Sequence, residues 1–325
     1  MAAAEQIKSL IKYFGEGDEE RFFSSALQIA AVEARKGHTN FAQELKSLID
    51  KAQKNRSLTF ADRAKTIPIL QPKRELKDLM DIFHPRIKLK DMVLKQDIRD
   101  ALDKLVKEQQ HWEALQKYNL TPRRKLLLVG PPGCGKSMTA QALAGELGIP
   151  IFIVRLDGVV SKFMGESVAK LRLIFEAMVD NRGVYLFDEF DSIGSHRDQG
   201  QDVGEIKRIL NSFLIHIEKD QSNSIIIAAT NMPEMLDKAL FRRFDEVIEY
   251  PLPHKLEIID TIKKNLHAFS FDKKPDYSNL AEIAEGLNYS AIVKACEEAI
   301  KEMILKGADK LSLSDLTHAI KKRKQ

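Results

Sequence analysis

The sequence predicts an α/β protein: a parallel five-stranded sheet with helices, preceded by a small N-terminal helical bundle and followed by a C-terminal helical lid. Three observations predict it. Short apolar runs bounded by turn residues alternate with helical patterns through the middle of the 325-residue chain, as buried strands of a sheet covered on both faces do. A glycine-rich turn joins the first of these runs to a helix. After Pro253 no strand-like run occurs.

Residues 1–54 read as three helices. Ile7, Leu10, Ile11 and Phe14 form one apolar stripe, Phe22, Phe23, Ala26, Leu27, Ile29 and Ala30 a second, and Phe41, Leu45, Leu48 and Ile49 a third. The breaks fall at Gly15-Glu16-Gly17-Asp18 and Gly37-His38-Thr39-Asn40, and such short loops imply antiparallel neighbours. Residues 55–85 read as a linker, polar at first and broken by Pro68 and Pro72. The nucleotide-binding α/β domain is expected over 86–252 and the helical lid over 253–325. An extended piece, Ile87 to Val93, leads into a long charged helix from Lys95 to Tyr118 that Asn119 and Pro122 end. The strands are expected at Lys125 to Val129, Ile151 to Leu156, Gly183 to Phe187, Ser224 to Ala229 and Glu246 to Tyr250.

Composition narrows the class. With 44% hydrophobic and 30% charged residues the chain falls in the range of ordinary soluble globular proteins. No stretch approaches the roughly 20 uninterrupted apolar residues of a membrane span, and Met1 to Leu10 lack a signal-peptide core, so a cytoplasmic location and no membrane partner are expected. Two cysteines, Cys134 and Cys296, give no disulfide framework. A net charge of +4 makes no electrostatic case for a nucleic-acid partner. The one dense basic run, Lys321-Lys322-Arg323-Lys324, suits a helix C-terminus or a binding arm.

The chemistry lies at the strand ends. Gly130-Pro131-Pro132-Gly133-Cys134-Gly135-Lys136-Ser137 fits the phosphate-loop pattern G-x-x-x-x-G-K-[ST] between a strand and a helix, which makes the expected fold that of a P-loop NTPase. Pro132, Gly133, Cys134, Gly135, Lys136, Ser137 and Met138 are expected to cradle ATP with backbone N–H groups and a helix N-terminus. Lys136 would reach the β- and γ-phosphates and the Ser137 hydroxyl would ligate Mg²⁺. The run Val184-Tyr185-Leu186-Phe187 delivers Asp188 and Glu189, the first to hold the magnesium shell, the second to orient and polarise water. Ile225 to Ala229 ends in Thr230-Asn231, where an amide can contact the γ-phosphate or simply form a turn. Cys134, beside a helix N-terminus, reads either as an oxidisable thiol or as a small residue filling the loop.

These pieces in this order, continued by Asn231-Met232-Pro233-Glu234-Met235-Leu236-Asp237 and Phe241-Arg242-Arg243-Phe244-Asp245, resemble the AAA family proper, the group of katanin, spastin, the ESCRT-disassembling ATPase and FtsH. The resemblance spans roughly Arg86 to Lys306. It implies a homo-oligomeric ring, usually a hexamer, with Arg242 and Arg243 reaching into the neighbouring subunit's site as arginine fingers; here the two are adjacent rather than spaced by Pro-Gly, which leaves their division of labour open. It also implies that Lys162, Phe163 and Met164 form the first pore loop of a protein-threading motor. Ser195 to Gly204 falls where a second pore loop or a plain surface loop would sit. Asp91 to Leu94 resembles the adenine-contacting stretch, with Leu94 in place of a glycine, and Gly286 to Ala291 the lid's contact with nucleotide, with Ser290 in place of a glycine. The function so implied is ATP-driven remodelling of protein substrates, the N-terminal bundle recruiting substrate or partner. Alternatives are a DNA-associated loader, or a regulatory ATPase subunit serving a separate enzyme such as a protease.

Overall fold

The computed structural model describes residues 78–159, 166–191, 203–236 and 238–324, with only isolated positions before Asp78. The helices expected over 1–54 and most of the 55–85 linker lie outside the described residues, as do Lys162, Phe163, Met164 and 195–202. The chain divides into two compact units, Met1–Gln71 and Pro72–Gln325, and the elements that follow belong to the second.

In chain order they are β1 (Met80–Phe83), α1 (Gln96–Gln110), α2 (Trp112–Gln116), β2 (Lys125–Val129), α3 (Lys136–Leu147), β3 (Ile151–Val154), α4 (Leu156–Val159), α5 (Glu166–Asp180), β4 (Val184–Phe187), α6 (Val203–Lys219), β5 (Ile225–Thr230), α7 (Lys238–Phe241), β6 (Glu246–Glu249), α8 (Lys255–Leu266), α9 (Tyr277–Ala284), α10 (Tyr289–Leu305) and α11 (Leu313–Lys322). The strands form one sheet in the order β1-β3-β4-β5-β2-β6. All neighbours run parallel except β1, which pairs antiparallel with β3, Met80 opposite Val154 and Phe83 opposite Ile151.

The sheet is therefore mixed and six-stranded, not parallel and five-stranded. The additional strand lies within the stretch read as linker, and its weak pattern explains the miss. Met80 is buried but Asp81 and Phe83 are exposed, so an edge strand needs only one buried face. The extended piece expected at Ile87 to Val93 is instead a single 3₁₀ turn at Leu89–Asp91, and the long charged helix divides at His111 into α1 and α2. The second of these carries no buried residue, so nothing in the core fixes it as a straight continuation.

Four of the five expected strands, β2 to β5, form because their side chains are buried on both faces, while β6 at the sheet edge buries only Ile248. Leu127, Val129, Phe152, Val154, Tyr185, Phe187, Ile226 and Ala228 pack on one side with α5 and α6. Leu126, Leu128, Ile151, Val184, Leu186, Ile225, Ile227 and Ala229 pack on the other with α1 and α3. Neighbours in sequence go to opposite faces, as the pleat requires, and each fully buried Leu or Ile contributes about 1.5–3 kcal/mol. Helices α8 to α11 enclose a separate core around Ile258, Ile262, Ile292, Cys296 and Ile320. Among the described residues no helix is long and apolar enough to cross a membrane.

One close approach sets the position of α3. At Gly145 a Cβ would lie 2.1 Å from the carbonyl oxygen of Ile87, so glycine lets the backbone before the 3₁₀ turn lie directly on the helix. Gly145→Ala must push the two apart and is expected to destabilise the protein by about 1–3 kcal/mol, the range for overpacking, despite alanine's better helix propensity. A thermal melt that matches the wild type would refute this.

Candidate nucleotide site

The site is built at the C-terminal ends of β2, β4 and β5, where open α/β sheets bind ligands. The loop after β2 needs glycine. Gly130, Gly133 and Gly135 have φ of 140°, 74° and 97°, in the region that side chains strain to adopt. The loop ends in α3, whose N-cap is Gly135 and has no side chain to satisfy the first helical N–H groups, so those donors face whatever lies before the helix.

Lys136 is only 6% exposed. Its Nζ donates to the carbonyl oxygens of Gly130 (2.7 Å) and Pro131 (2.9 Å) and to Asn231 Oδ1 (2.8 Å). All three acceptors are neutral. Burial pushes its pKa below the ordinary lysine value, against weaker upward pulls from Cys134, Asp188 and Asp191. A cation held among neutral acceptors is electrostatically under-compensated, which is the condition for taking an anion.

Beside it, Ser137 Oγ donates to Asp188 Oδ2 at 2.5 Å, so the hydroxyl and carboxylate expected to share a metal are in contact. Glu189, the next residue, is one of two non-glycine residues with positive φ among the described residues, at 49°. Side chains seldom occupy this conformation unless the surroundings impose it, and such cases cluster at functional sites. Phe190 then turns into the core, fully buried with its ring 4.6 Å from that of Phe213.

A cleft of about 510 Å³ collects these groups. It is lined by Pro132, Gly133, Gly135, Lys136, Ser137, Met138, Asp188, Glu189 and Asn231 and, from the helical lid, by Tyr289, Ser290, Val293, Lys294 and Glu297. Its size is that of a small-molecule site. The lid touches the loop directly. Asn288 Nδ2 donates to the Pro132 carbonyl (3.0 Å), the Ser290 N–H donates to that of Gly133 (3.1 Å), and Asn288 Oδ1 caps α10 at the Ala291 N–H (2.8 Å).

Most of the sequence-predicted residues thus come together, with three qualifications. The Cys134 side chain is absent from the cleft lining; it is buried in a small apolar void with Leu94, Ile98, Tyr250 and Tyr289. Burial raises its thiol pKa, which favours the small filling residue over the oxidisable thiol, and Cys296 in the lid core is pushed up to about 12 by burial. Arg242 and Arg243 are not in the lining. Arg242 is exposed in the turn after α7, and Arg243 pairs with Glu218 across 3.2 Å; the nearby Asp245 and Glu246 carboxylates receive the Arg124 N–H, the Lys125 N–H and the Arg123 guanidinium. The pore-loop residues Lys162, Phe163 and Met164 lie outside the described residues.

The lid stretch Gly286 to Ala291, which the resemblance implied would meet nucleotide, supplies Tyr289 and Ser290 to the lining, while sequence reasoning missed Val293, Lys294 and Glu297 further along the same helix. Ser290, Val293, Lys294 and Glu297 recur at helical spacing, but from sequence alone such a stripe is the same as a solvated face. Sequence reasoning also missed Asp191, whose Oδ1 accepts from Thr230 Oγ1 (2.8 Å) and from the Asn231 N–H (3.1 Å).

The profile of the family described as "ATPase family associated with various cellular activities (AAA)" matches residues 126–252. A curated protein of Sinorhizobium fredii, described as an uncharacterized AAA family ATPase, is 32% identical over 324 residues, covering 98% of this chain and 95% of the relative. This chain belongs to the AAA family of ATPases. The family match begins inside β2 and ends just after β6, so it contains every strand that lines the cleft; the relative carries the likeness through the lid as well.

Whether the residues of this AAA ATPase suit ATP and Mg²⁺ can be tested on the site itself. The left-handed loop, the uncapped start of α3 and the under-compensated Lys136 suit a polyphosphate. Among the described residues no three His, Cys, Asp or Glu side chains converge to hold a metal. A pair such as Ser137 and Asp188 suits Mg²⁺, which keeps several waters and takes its remaining ligands from one or two carboxylates and the substrate's phosphates.

Proposed function

We propose that this AAA ATPase hydrolyses ATP to ADP and phosphate in the cleft between the phosphate loop and the lid, and that it spends the work on remodelling protein substrates. What supports the hydrolytic half is the convergence of Lys136, Ser137, Asp188, Glu189 and Asn231 from three strand ends into one cleft. Lys136 binds and orients the terminal phosphates, and Ser137 with Asp188 would hold Mg²⁺, which when bound neutralises charge on them. Glu189 orients water and accepts its proton, and Asn231, already on Lys136, fixes the far side of the terminal phosphate.

Protein remodelling rests on the resemblance of Lys162 to Ser167 to a pore loop. In this reading the chain assembles into a ring, hexameric as is usual in the family. Arg242 and Arg243, outside their own subunit's cleft, then serve the neighbouring subunit, and Phe163 with Met164 grips extended polypeptide in the central pore. Residues 1–54 recruit the substrate or a partner. Phe163→Ala is the discriminating variant: phosphate release is expected to stay within about twofold of wild type, since the residue is outside the chemistry, while unfolding or disassembly of a bound protein falls by at least about tenfold. A variant that processes protein at the normal rate would remove the threading role.

A further inference from the structure

We propose that Asp191 is a positioning residue that ties the turn carrying Glu189 to the strand end carrying Asn231, fixing the two relative to each other. The proposal rests on the hydrolytic reading of the cleft and adds a residue that neither the phosphate loop nor the paired acids predict.

The connections are explicit. Asp191 Oδ1 receives two hydrogen bonds from the end of β5, from Thr230 Oγ1 at 2.8 Å and from the Asn231 N–H at 3.1 Å. Thr230 Oγ1 in turn accepts from the Met232 N–H at 3.0 Å, so one carboxylate oxygen organises three consecutive residues. Between Glu189 and Asp191, the Phe190 N–H donates to the Ala229 carbonyl at 2.8 Å, and the buried Phe190 ring packs on Phe213. Residues 190 and 191 are thereby stapled to residues 229 to 231, and Glu189 is the residue spanning into the staple from β4.

Two features of the site call for such a staple. Glu189 sits at φ 49°, a conformation that persists only when neighbouring contacts over-determine it. Asn231 must keep its Oδ1 on Lys136 Nζ at 2.8 Å, which requires that the strand end carrying it stay in place. Asp191 supplies the hold on the Asn231 backbone directly and closes the turn that holds Glu189. Its own carboxylate is not in the cleft lining, so it acts through these two residues rather than on the nucleotide. A carboxylate suits the task because an ionised oxygen accepts two donors more strongly than a neutral one.

The test compares Asp191→Ala and Asp191→Asn with wild type in three measurements: steady-state phosphate release from ATP, affinity for a fluorescent ATP analogue, and amide hydrogen exchange over residues 188–191 and 229–232. Asparagine retains an Oδ1 that can accept both bonds; alanine does not. For Asp191→Ala we expect kcat to fall by about 10²-fold, the scale of a misplaced catalytic group, analogue affinity to stay within about threefold, and the amides of Phe190 and Asn231 to exchange faster. Asp191→Asn should recover kcat to within about tenfold of wild type and restore slow exchange. Equal kcat in wild type and Asp191→Ala would overturn the proposal, as would loss of analogue binding in proportion to kcat, or unchanged exchange of the Asn231 amide. If wild type itself released no phosphate, the hydrolytic reading would fall; accelerated exchange in Asp191→Ala alone would then still establish the staple, and unchanged exchange would refute it.

Discussion

Glu189→Gln is expected to lower phosphate release from ATP by about 10²- to 10⁴-fold, the contribution of a positioned general base, with ATP affinity unchanged to within a few-fold. Binding and turnover separate because the groups that cradle phosphate, the loop 130–135 and Lys136, owe nothing to this side chain. Lys136 is held by Gly130, Pro131 and Asn231, and the bond that the Glu189 backbone makes, its N–H to Asp188 Oδ1 at 2.9 Å, survives the substitution. The amide is isosteric, so the strained φ of 49° carries no new steric cost and the melting temperature should stay within a degree or two. A protein that binds ATP and cannot release it as ADP accumulates in the ATP-bound state, so under the proposed remodelling role the same variant purified with ATP should retain its protein substrate. Wild-type turnover in Glu189→Gln would remove the assigned mechanism.

Lys136→Met is the second large effect, and its signature is the opposite one. Here binding itself is expected to fall, by about 100-fold or more, because charge-assisted hydrogen bonds contribute about 1.5–3 kcal/mol each and the ammonium can exchange its neutral acceptors in the loop for charged phosphate oxygens. The fold should survive the change. Burial depresses the pKa of Lys136 in the folded protein, and a lysine whose folded pKa lies below its unfolded value opposes folding wherever the unfolded chain keeps it charged. Methionine removes that cost and retains most of the apolar stem, while the Gly130 and Pro131 carbonyls and Asn231 Oδ1 lose their donor, so the two effects oppose each other and the nucleotide-free protein is expected to stay folded and melt within a few degrees of wild type. Titration with ATP by calorimetry, together with a melt without nucleotide, checks both halves. Affinity within threefold of wild type would contradict the assignment of Lys136.

The two variants also separate roles that a single loss of activity would confuse. Loss of turnover with retained binding points to the water-orienting side of the cleft. Loss of binding with retained fold points to the phosphate side. The pairing of Ser137 with Asp188 lies between them, and moving the lid away from the loop would break the contacts of Asn288 with Pro132 and of Ser290 with Gly133.

Much of this was legible in the residues themselves. Strands β2 to β5 declared themselves because burial on both faces demands unbroken apolar runs, and the phosphate loop because a left-handed turn before a helix demands glycine at fixed positions. Such demands act over a few residues, so sequence order records them. What the fold decided was which distant pieces meet. Asn231 could have been a turn residue until its Oδ1 was found on Lys136, 95 positions away. Asp191 had no signal beyond an acid near two others, yet it meets Thr230 across 39 positions. The lid's Asn288 reaches Pro132 across 156, and the edge strand Met80–Phe83 exists only because β3 offers it hydrogen bonds. In each case the energy lies in a contact between elements, formed when hydrophobic burial brings the sheet, helices and lid together, and no short stretch of sequence carries it alone.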